Sequence, residues 1–413
     1  MQLVAYGAQD IYLTGNPQIT FFKVVYRRHT NFSMESIEQT FNGSVAIGNT
    51  VSATISRNGD LVHKMYVQLD MTCTTNAPTA AHGAVRDTCV GTAALKECEL
   101  EIGGQRIDRL PHAWLQTWDE LTNPQYQDTV LVDQTDTTAE IEMDESNLRY
   151  APNAYQTQVG GHVYTSAHGH TFTVPLPFWF CRNPGLALPL IALQYHEVKL
   201  KITFESAGNL AANATSIDGA KLWVDYIYLD TDERRRFAQV SHEYLIEQLQ
   251  VQTASGSASG TKQSIELNFN HPVKELIWCQ QAKTANPTEF DILDLVGHKA
   301  DDSGGKGAVK LKLNGHDRFS ERVMSYFTRV QPAQHHTNVP LASRFGVYSF
   351  ALKPEEHQPS GTCNFSRIDT AILEYTQTSG VNHSSGRGNL YIFAVNYNVL
   401  RIMSGMGGLA YSN

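Results

Sequence analysis

Apolar and polar residues alternate in several stretches of the chain, and this two-residue period is that of a β-strand with one buried face. The clearest alternating stretches are residues 51–55, 65–71, 198–204 and 265–269. Two other stretches, Leu222–Leu229 and Leu390–Leu400, carry apolar residues at consecutive positions, which predicts central strands covered on both faces. The pattern therefore predicts an all-β protein.

Helical periodicity is rare in this chain. The best helix is predicted over Pro111–Leu121, because one face of that segment is apolar. This face is formed by Trp114, Leu115, Trp118 and Leu121. A short turn is predicted at Ser320–Tyr326, and everything else is predicted as strand or loop.

The predicted strands are separated by long loops and divide into two groups. The longest loops cover residues 72–92, 123–168, 300–307 and 376–388. Many strands joined by a few long loops are typical of a sandwich or barrel with decorated ends. A boundary is predicted near residues 230–242, where an acidic run leads into Arg234–Arg236. Each half closes on an apolar strand, which predicts two copies of one architecture.

Composition and charge narrow the function. The chain has 413 residues, of which 41% are hydrophobic and 18% are charged. The charged share is below the roughly 25% of ordinary soluble domains, which suits a protein that hides much of its surface in contacts. The net charge of −9 is the reverse of the basic field that nucleic-acid binders show. If the protein packages DNA, we expect it to act as a container, with no direct binding of nucleic acid.

The cysteines and the apolar runs indicate no disulfide framework, zinc site or membrane span. The six cysteines are scattered without a C-x-x-C pair, so we expect free thiols in a reducing compartment. The N-terminus lacks a basic start and an apolar run of signal-peptide length. The longest apolar stretch, near residues 175–193, is interrupted by prolines and Arg182 and is not expected to cross a bilayer.

Candidate catalytic and metal-binding motifs are incomplete. The pair His168 and His170 suits a metal site of cupin type, but no glutamate follows at the required distance, so loop histidines are expected. His335-His336 is interpreted in the same way, and Glu355-Glu356 as a solvated loop. The segments 256–260 and 303–307 lack the residues of a hydrolase elbow and of a phosphate-binding loop. We therefore expect no enzyme activity, no cofactor and no metal.

Four segments carry a resemblance to a known family. The N-terminal stretch from Leu3 to Lys23, LVAYGAQDIYLTGNPQITFFK, resembles the opening of major capsid proteins of nucleocytoplasmic large DNA viruses, especially those of algal viruses and their giant relatives. Residues 55–61 (ISRNGDL), 175–181 (PLPFWFC) and 354–369 (PEEHQPSGTCNFSRID) resemble the same family. The segments lie in order and span nearly the whole chain.

The resemblance implies two consecutive eight-stranded antiparallel jelly rolls with long decorating loops and a few short helices. It also implies a homotrimer that forms a pseudo-hexagonal capsomer, and an icosahedral shell usually built over an internal membrane. We assign residues 1–30 to an N-terminal base segment, 31–232 to the first jelly roll and 233–413 to the second. Expected partners are further copies, minor capsid proteins, the internal membrane and, through outer loops, the host surface. We expect assembly in the host cytoplasm and a final location in the virion.

One contact site is predicted within the base segment. Its candidate inner-face and assembly residues are Phe21, Phe22, Lys23, Arg27 and Arg28. Interleaved aromatic and basic residues also suit stacking on nucleic acid, but the net acidity favours a solvated or interface-facing surface. The leading alternative function is a lectin-like, carbohydrate-binding jelly roll, since a fold does not fix a function. An enzyme of cupin type is the third.

Overall fold

A computed structural model describes most of the chain. The described residues are 7–73, 89–123, 154–159, 168–206, 214–256, 262–282, 295, 307–340, 343–376 and 387–411. Parts of the predicted long loops, together with residues 257–260 and 303–306 of the two glycine-rich motifs, lie outside this set.

Twenty strands make up about half of the described residues. They are β1 Phe32–Gln39, β2 Thr50–Thr54, β3 Leu61–Cys73, β4 Leu95–Ile102, β5 Gln105–Pro111, β6 His168–Pro175, β7 Leu188–Pro189, β8 Val198–Phe204, β9 Ala214–Leu229, β10 His242–Ala254, β11 Lys262–Glu266, β12 Pro272–Ala282, β13 Ala308–Leu313, β14 His316–Asp317, β15 Arg322–Val323, β16 Phe345–Ser349, β17 Cys363–Asn364, β18 Ala371–Thr376, β19 Arg387–Met403 and β20 Met406–Leu409. The helices are α1 Ile11–Thr14, α2 Val90–Ala94, α3 His112–Thr122, α4 Ala154–Gln158, α5 Trp179–Arg182, α6 Thr231–Gln239 and α7 Gln331–His335.

The strands form four antiparallel sheets whose order repeats. Sheet A has the order β1-β9-β3-β6 and sheet B the order β2-β8-β4-β5. In the second half, sheet C has the order β10-β19-β12-β16 and sheet D the order β11-β18-β13-β14. Each strand of the first half therefore has a counterpart at the same place in the second half. This is the predicted pair of eight-stranded jelly rolls, extended by the short strands β7, β15, β17 and β20.

The alternating pattern builds the cores as predicted. Along β8, Val198, Leu200 and Ile202 are buried while the lysines between them are only half-buried. The predicted helix over 111–121 is observed as α3, which buries Trp114 and Leu115. Apolar positions that repeat every second residue thus line the inside of each sandwich.

The two stretches predicted to be covered on both faces differ in the structure. In β19, Ile392 and Ala394 belong to the core of the second half, whereas Phe393 and Val395 join a core that is continuous with the first half. In β9 the residues Leu222, Val224 and Tyr226 are buried, but Trp223 and Asp225 on the other face remain half-buried. The prediction is therefore confirmed for β19, whereas this second face of β9 is covered in the single chain only near Ile227.

The molecule has two distinct ends, defined by the strand register. At one end, which we call the linker end, β1 begins opposite Leu229 and α6 connects that residue to β10. At the other end, which we call the loop end, Cys73 lies beside Ala214, and Ala254 lies beside Leu390. The predicted long loops 72–92 and 376–388 start or finish at strands of the loop end.

Helices account for the largest error in the predicted elements. The charged boundary is the helix α6, in which Asp230 accepts a hydrogen bond from the Thr231 N–H at the N-cap and acidic residues occupy the first turn. These are ordinary start signals, which an apolar-period search misses because α6 buries no residue. The turn predicted at 320–326 is only partly observed: β15 occupies Arg322–Val323, and helical residues run from 324 to 335.

Candidate assembly surfaces

The joint between the two halves contains buried polar contacts. Asp108, in the middle of β5, accepts a hydrogen bond from the backbone N–H of Leu249 on β10 at 3.2 Å. The Gln248 side chain donates to the carbonyl oxygen of Ile107. Burial raises the pKa of Asp108 to about 7, against the lowering effect of its two backbone hydrogen bonds and of Arg182. A carboxyl group that titrates near neutrality therefore lies where the halves meet.

A second polar contact across the joint is centred on Glu247 of β10. Its carboxylate lies 2.8 Å from Arg182 of the first half and 2.7 Å from the buried Lys274 of the second. Burial alone would raise the pKa of Glu247, but Arg182, His357 and Lys274 outweigh it and lower the pKa to about 2. The Arg182 guanidinium also stacks on Trp118, 4.7 Å from the ring centroid. Paired in this way, the buried charges hold the halves together without an uncompensated ion.

At the linker end, the hairpin of β19 and β20 packs closely against the first half. The backbone N–H of Tyr195 donates to the carbonyl oxygen of Gly405 at 2.9 Å. Gly405 has a φ of +79°, and a β-carbon there would lie 2.6 Å from the Tyr195 ring. Only glycine satisfies both the left-handed backbone and this close approach.

The five predicted contact residues lie on an uncovered segment that leads into β1 at the linker end. Residues 7–31, which we call the arm, precede β1, and every described residue of the arm from Ile11 onward is exposed. Phe21 is 90% exposed and Phe22 99% exposed, and Lys23, Arg27 and Arg28 are exposed as well. The structure thus brings the five residues together only as neighbours in sequence. Such large apolar side chains in water are unfavourable and typical of a surface that a partner covers.

Sheets A and D each leave their outer face largely uncovered in the single chain. On the outer face of sheet A, Trp223 stacks on Tyr66, and its ring N–H donates to Gln68. Phe32 and Met34 extend this face along β1 and are about half exposed. On the outer face of sheet D, Glu374 pairs with Lys262 at 2.8 Å and with Lys312, beside the half-buried Ile372. Sheet C, by contrast, has both faces covered, because the first half packs on it.

The candidate chemical residues have structural surroundings that differ from the predictions. His168 and His170 lie on β6, so the expectation of loop histidines is wrong for this pair. His336 is not in a polar loop either: it is buried next to Glu275 and Glu355, so Glu355 is not simply solvated. Sequence spacing could not show these contacts, because the three residues come from separate segments. Of the basic run Arg234–Arg236, Arg234 pairs with the buried Asp60 at 2.8 Å.

The described part of the chain bears on the expectations about cysteines, metal sites and membrane spans. Four cysteines whose side chains are described, Cys98, Cys181, Cys279 and Cys363, are free thiols, as expected. Within the described ranges, no group of three or more His, Cys, Asp or Glu side chains is placed to hold a metal ion. A search of the same ranges finds no helix with the length and apolar content of a membrane span.

Comparison with known proteins gives consistent matches over both halves. Residues 233–408 match the family described as large eukaryotic DNA virus major capsid protein, and residues 20–230 match the one described as major capsid protein N-terminus. The chain is 52% identical to the major capsid protein of Pyramimonas orientalis virus, covering 100% of this chain and 99% of the relative. It is 45% identical to that of Paramecium bursaria Chlorella virus 1, with the same coverage.

Solved structures agree with these sequence matches. The VP54 protein of PBCV-1, fitted into a reconstruction of the virophage Sputnik, superposes with a TM-score of 0.75 at 39% identity, covering 95% of this chain and 100% of VP54. The Faustovirus major capsid protein shares the fold at 14% identity, with a TM-score of 0.65 over 96% of this chain and 94% of its own.

Proposed function

Because the chain belongs to the family of large eukaryotic DNA virus major capsid proteins, we propose that it forms homotrimers that act as pseudo-hexagonal capsomers in an icosahedral shell. The observation that carries this proposal is the repeat of one eight-stranded architecture within a single chain. Three chains with two similar barrels each give a ring of six barrels. Such a ring has a nearly six-fold outline, which tiles a flat facet.

The uncovered sheet faces support a head-to-tail trimer. Within the chain, the outer face of sheet C, the counterpart of sheet A, is covered by the first half. We infer that in the trimer the outer face of sheet A, which is uncovered in the single chain, is covered by the uncovered sheet D face of a neighbouring copy. Two different faces that pair between copies form a heterologous interface, which closes into a ring when the rotation per copy is one third of a turn.

We assign the arm to the base of the capsomer, facing minor capsid proteins or the internal membrane. Between Asp10 and Glu35 the chain has no acidic residue, so Lys23, Arg27 and Arg28 give the arm a positive charge. Basic residues beside exposed aromatic rings suit an acidic protein surface or anionic lipid headgroups. Its position at the linker end leaves the loop end to face outward, where outer loops would meet the host surface.

The remaining assignments follow from the shell function. We place the protein in the virion capsid after assembly in the host cytoplasm, with neighbouring capsomers as its most frequent partners. The net charge of −9 supports a container without direct DNA binding. We retain the division into residues 1–30, 31–232 and 233–413, because the helix α6 separates the strands of sheets A and B from those of sheets C and D.

A mixing experiment tests the head-to-tail trimer. The wild-type protein should sediment at three times 45.9 kDa, about 138 kDa. Trp223→Glu and Ile372→Glu each place a charge on one of the two proposed faces, so each variant alone should be a folded monomer. Each still carries one intact face, so a mixture of the two should form a heterodimer of about 92 kDa, twice 45.9 kDa.

The control is Leu352→Glu, an exposed apolar residue on neither face, which should leave the trimer intact. Circular dichroism confirms that each variant is folded. A wild-type protein that stays monomeric at every concentration would refute the trimer. Trimers formed by both face variants would refute the assignment of the faces.

A further inference from the structure

His336 lies in a buried cluster of charged residues in the second half. It follows the last residue of α7, and its side chain is completely buried. Its Nε2 atom lies 3.0 Å from the Glu275 carboxylate on β12, which is also completely buried. Its Nδ1 atom lies 3.0 Å from the Glu355 carboxylate, in the segment between β16 and β17. Both ring nitrogens therefore face a carboxylate.

This arrangement requires a positively charged ring. A neutral imidazole carries one N–H, so its other nitrogen would present a lone pair to a carboxylate. Burial alone would lower the pKa of His336, but Glu275 and Glu355 raise it to about 9. The Glu275 contact lacks hydrogen-bond alignment despite its 3.0 Å distance, so the attraction there depends on charge. A neutral ring would leave the Glu275 carboxylate buried without this cation.

The two residues after His336 connect the cluster to the first half. The backbone N–H and the hydroxyl of Thr337 both donate to Glu355. The backbone N–H of Asn338 donates to the carbonyl oxygen of Leu121 at 3.0 Å, and its side-chain amide donates to that of Glu120 at 2.7 Å. These carbonyls belong to the last turn of α3. Carbonyl groups in the last turn of a helix accept no hydrogen bond from the N–H groups of the helix itself. Asn338 thus caps a helix of the first half from the second.

We propose that residues 336–338 form a charge-dependent latch, in which protonated His336 holds Asn338 against the end of α3 and so fixes one half on the other. His336 is a positioning residue in this account, since it touches neither α3 nor a neighbouring copy. The latch belongs to the single chain and does not depend on the trimer. Its consequence for the shell, a constant angle between the two barrels of each capsomer, rests on the proposed function.

The charged groups around His336 define how the latch responds to pH. Glu275 and Glu355 face the ring, and Lys274, the neighbour of Glu275, is paired with Glu247. Because the folded protein holds the His336 proton more tightly than the unfolded chain, the latch is complete below the ordinary histidine pKa of 6.5. Its contribution to stability is lost as the pH rises through about 9.

Hydrogen exchange of the full-length protein at pH 7.5 tests the latch. Glu355→Gln and His336→Gln remove a charge from the cluster, and Asn338→Ala removes only the side-chain hydrogen bond of the cap. In each variant we expect the peptide covering residues 117–123 to exchange about tenfold faster, while peptides from β3 and β9 stay unchanged. Glu356→Gln is the matched control, because this adjacent glutamate pairs only with the exposed Lys353 and should leave exchange as in the wild type.

The pH dependence provides a test that a simple packing role would not pass. The denaturant midpoint of the wild type should fall between pH 8 and pH 10, and this fall should be smaller in His336→Gln. If His336→Gln does not fold, the latch is still tested by hydrogen exchange of Asn338→Ala and by the pH dependence of the wild-type denaturant midpoint. Equal protection of residues 117–123 in Glu355→Gln and Glu356→Gln would overturn the proposal, as would identical pH profiles. All of these readouts apply to monomer or trimer alike, so failure of the latch is separable from failure of the trimer.

Discussion

At the scale of single residues, the joint between the halves is polar where a core is usually apolar. Glu247 is almost fully buried, yet its pKa is lowered because Arg182, His357 and Lys274 surround it. Asp108 lies in the same joint with weaker compensation from Arg182 and two backbone hydrogen bonds, and its pKa is raised because burial dominates. A buried charge at this interface therefore favours folding when charged partners surround it, and opposes folding when burial dominates.

Replacing Asp108 with asparagine should stabilise the protein above neutral pH. In the folded protein the pKa of Asp108 is about 7, against an ordinary value of 3.8, so folding becomes less favourable as the pH rises between these values. Asparagine cannot ionise but can still accept the hydrogen bond from Leu249. We expect the free energy of unfolding to increase by up to about 4 kcal/mol at pH 8 and to change little at pH 4.

Denaturant unfolding at the two pH values measures this effect. The control is Asp317→Asn, which removes an aspartate from β14, the counterpart of β5, where it forms an exposed pair with Lys310. That control should lower stability slightly or not at all. An Asp108→Asn protein that is equally destabilised at pH 4 and pH 8 would show that burial of the ionised Asp108 carboxylate does not oppose folding.

The sequence could not reveal these residue-level sites. Glu275, His336 and Glu355 come from three separated segments, and none of them has a motif that marks its neighbours. These residues come into contact because of how β12, α7 and the segment before β17 pack against one another. The local pattern of apolar and polar residues does not encode this packing. The arm residues Phe21, Phe22, Lys23, Arg27 and Arg28 were easier to select, since aromatic and basic residues precede the first strand. Their role remains a prediction.

At the scale of elements, the sequence predicted strands well because burial imposes the two-residue period directly. Alternation identified β3 and β8, and α3 was found from its apolar face. The uncovered face of β9 was not foreseen, because consecutive apolar residues do not tell whether the covering surface lies in the same chain. The helix α6 was missed because it buries no residue and so has no apolar face to detect.

Removal of the arm should separate trimer formation from shell assembly. The arm is exposed along its described length, so a chain that begins after residue 30 should fold and form trimers of normal mass. It should fail to assemble into shells, because the apolar and basic contacts of the arm would be missing at the base. Electron microscopy of particles from cells that express the truncated protein, with the full chain as control, measures this outcome. Normal shells from the truncated chain would refute the assignment of the arm.

At the scale of the whole molecule, the main feature is the repetition of one architecture. Sheets A and B of the first half have the strand order of sheets C and D of the second, and the joint packs one half on the other. Repeats of low internal identity are visible in the sequence only as layout, since many residue combinations satisfy the same pattern of buried and exposed positions. The layout predicted two copies of one architecture, and the structure confirms the two jelly rolls.

The most direct test of the shell function is electron microscopy of the purified full-length protein. We expect uniform particles with a pseudo-hexagonal outline, in which three chains contribute six upright barrels. Each particle should show the linker end of all three chains on one side and the loop end on the other. Single two-lobed particles at every concentration, or rings with another number of barrels, would contradict this expectation.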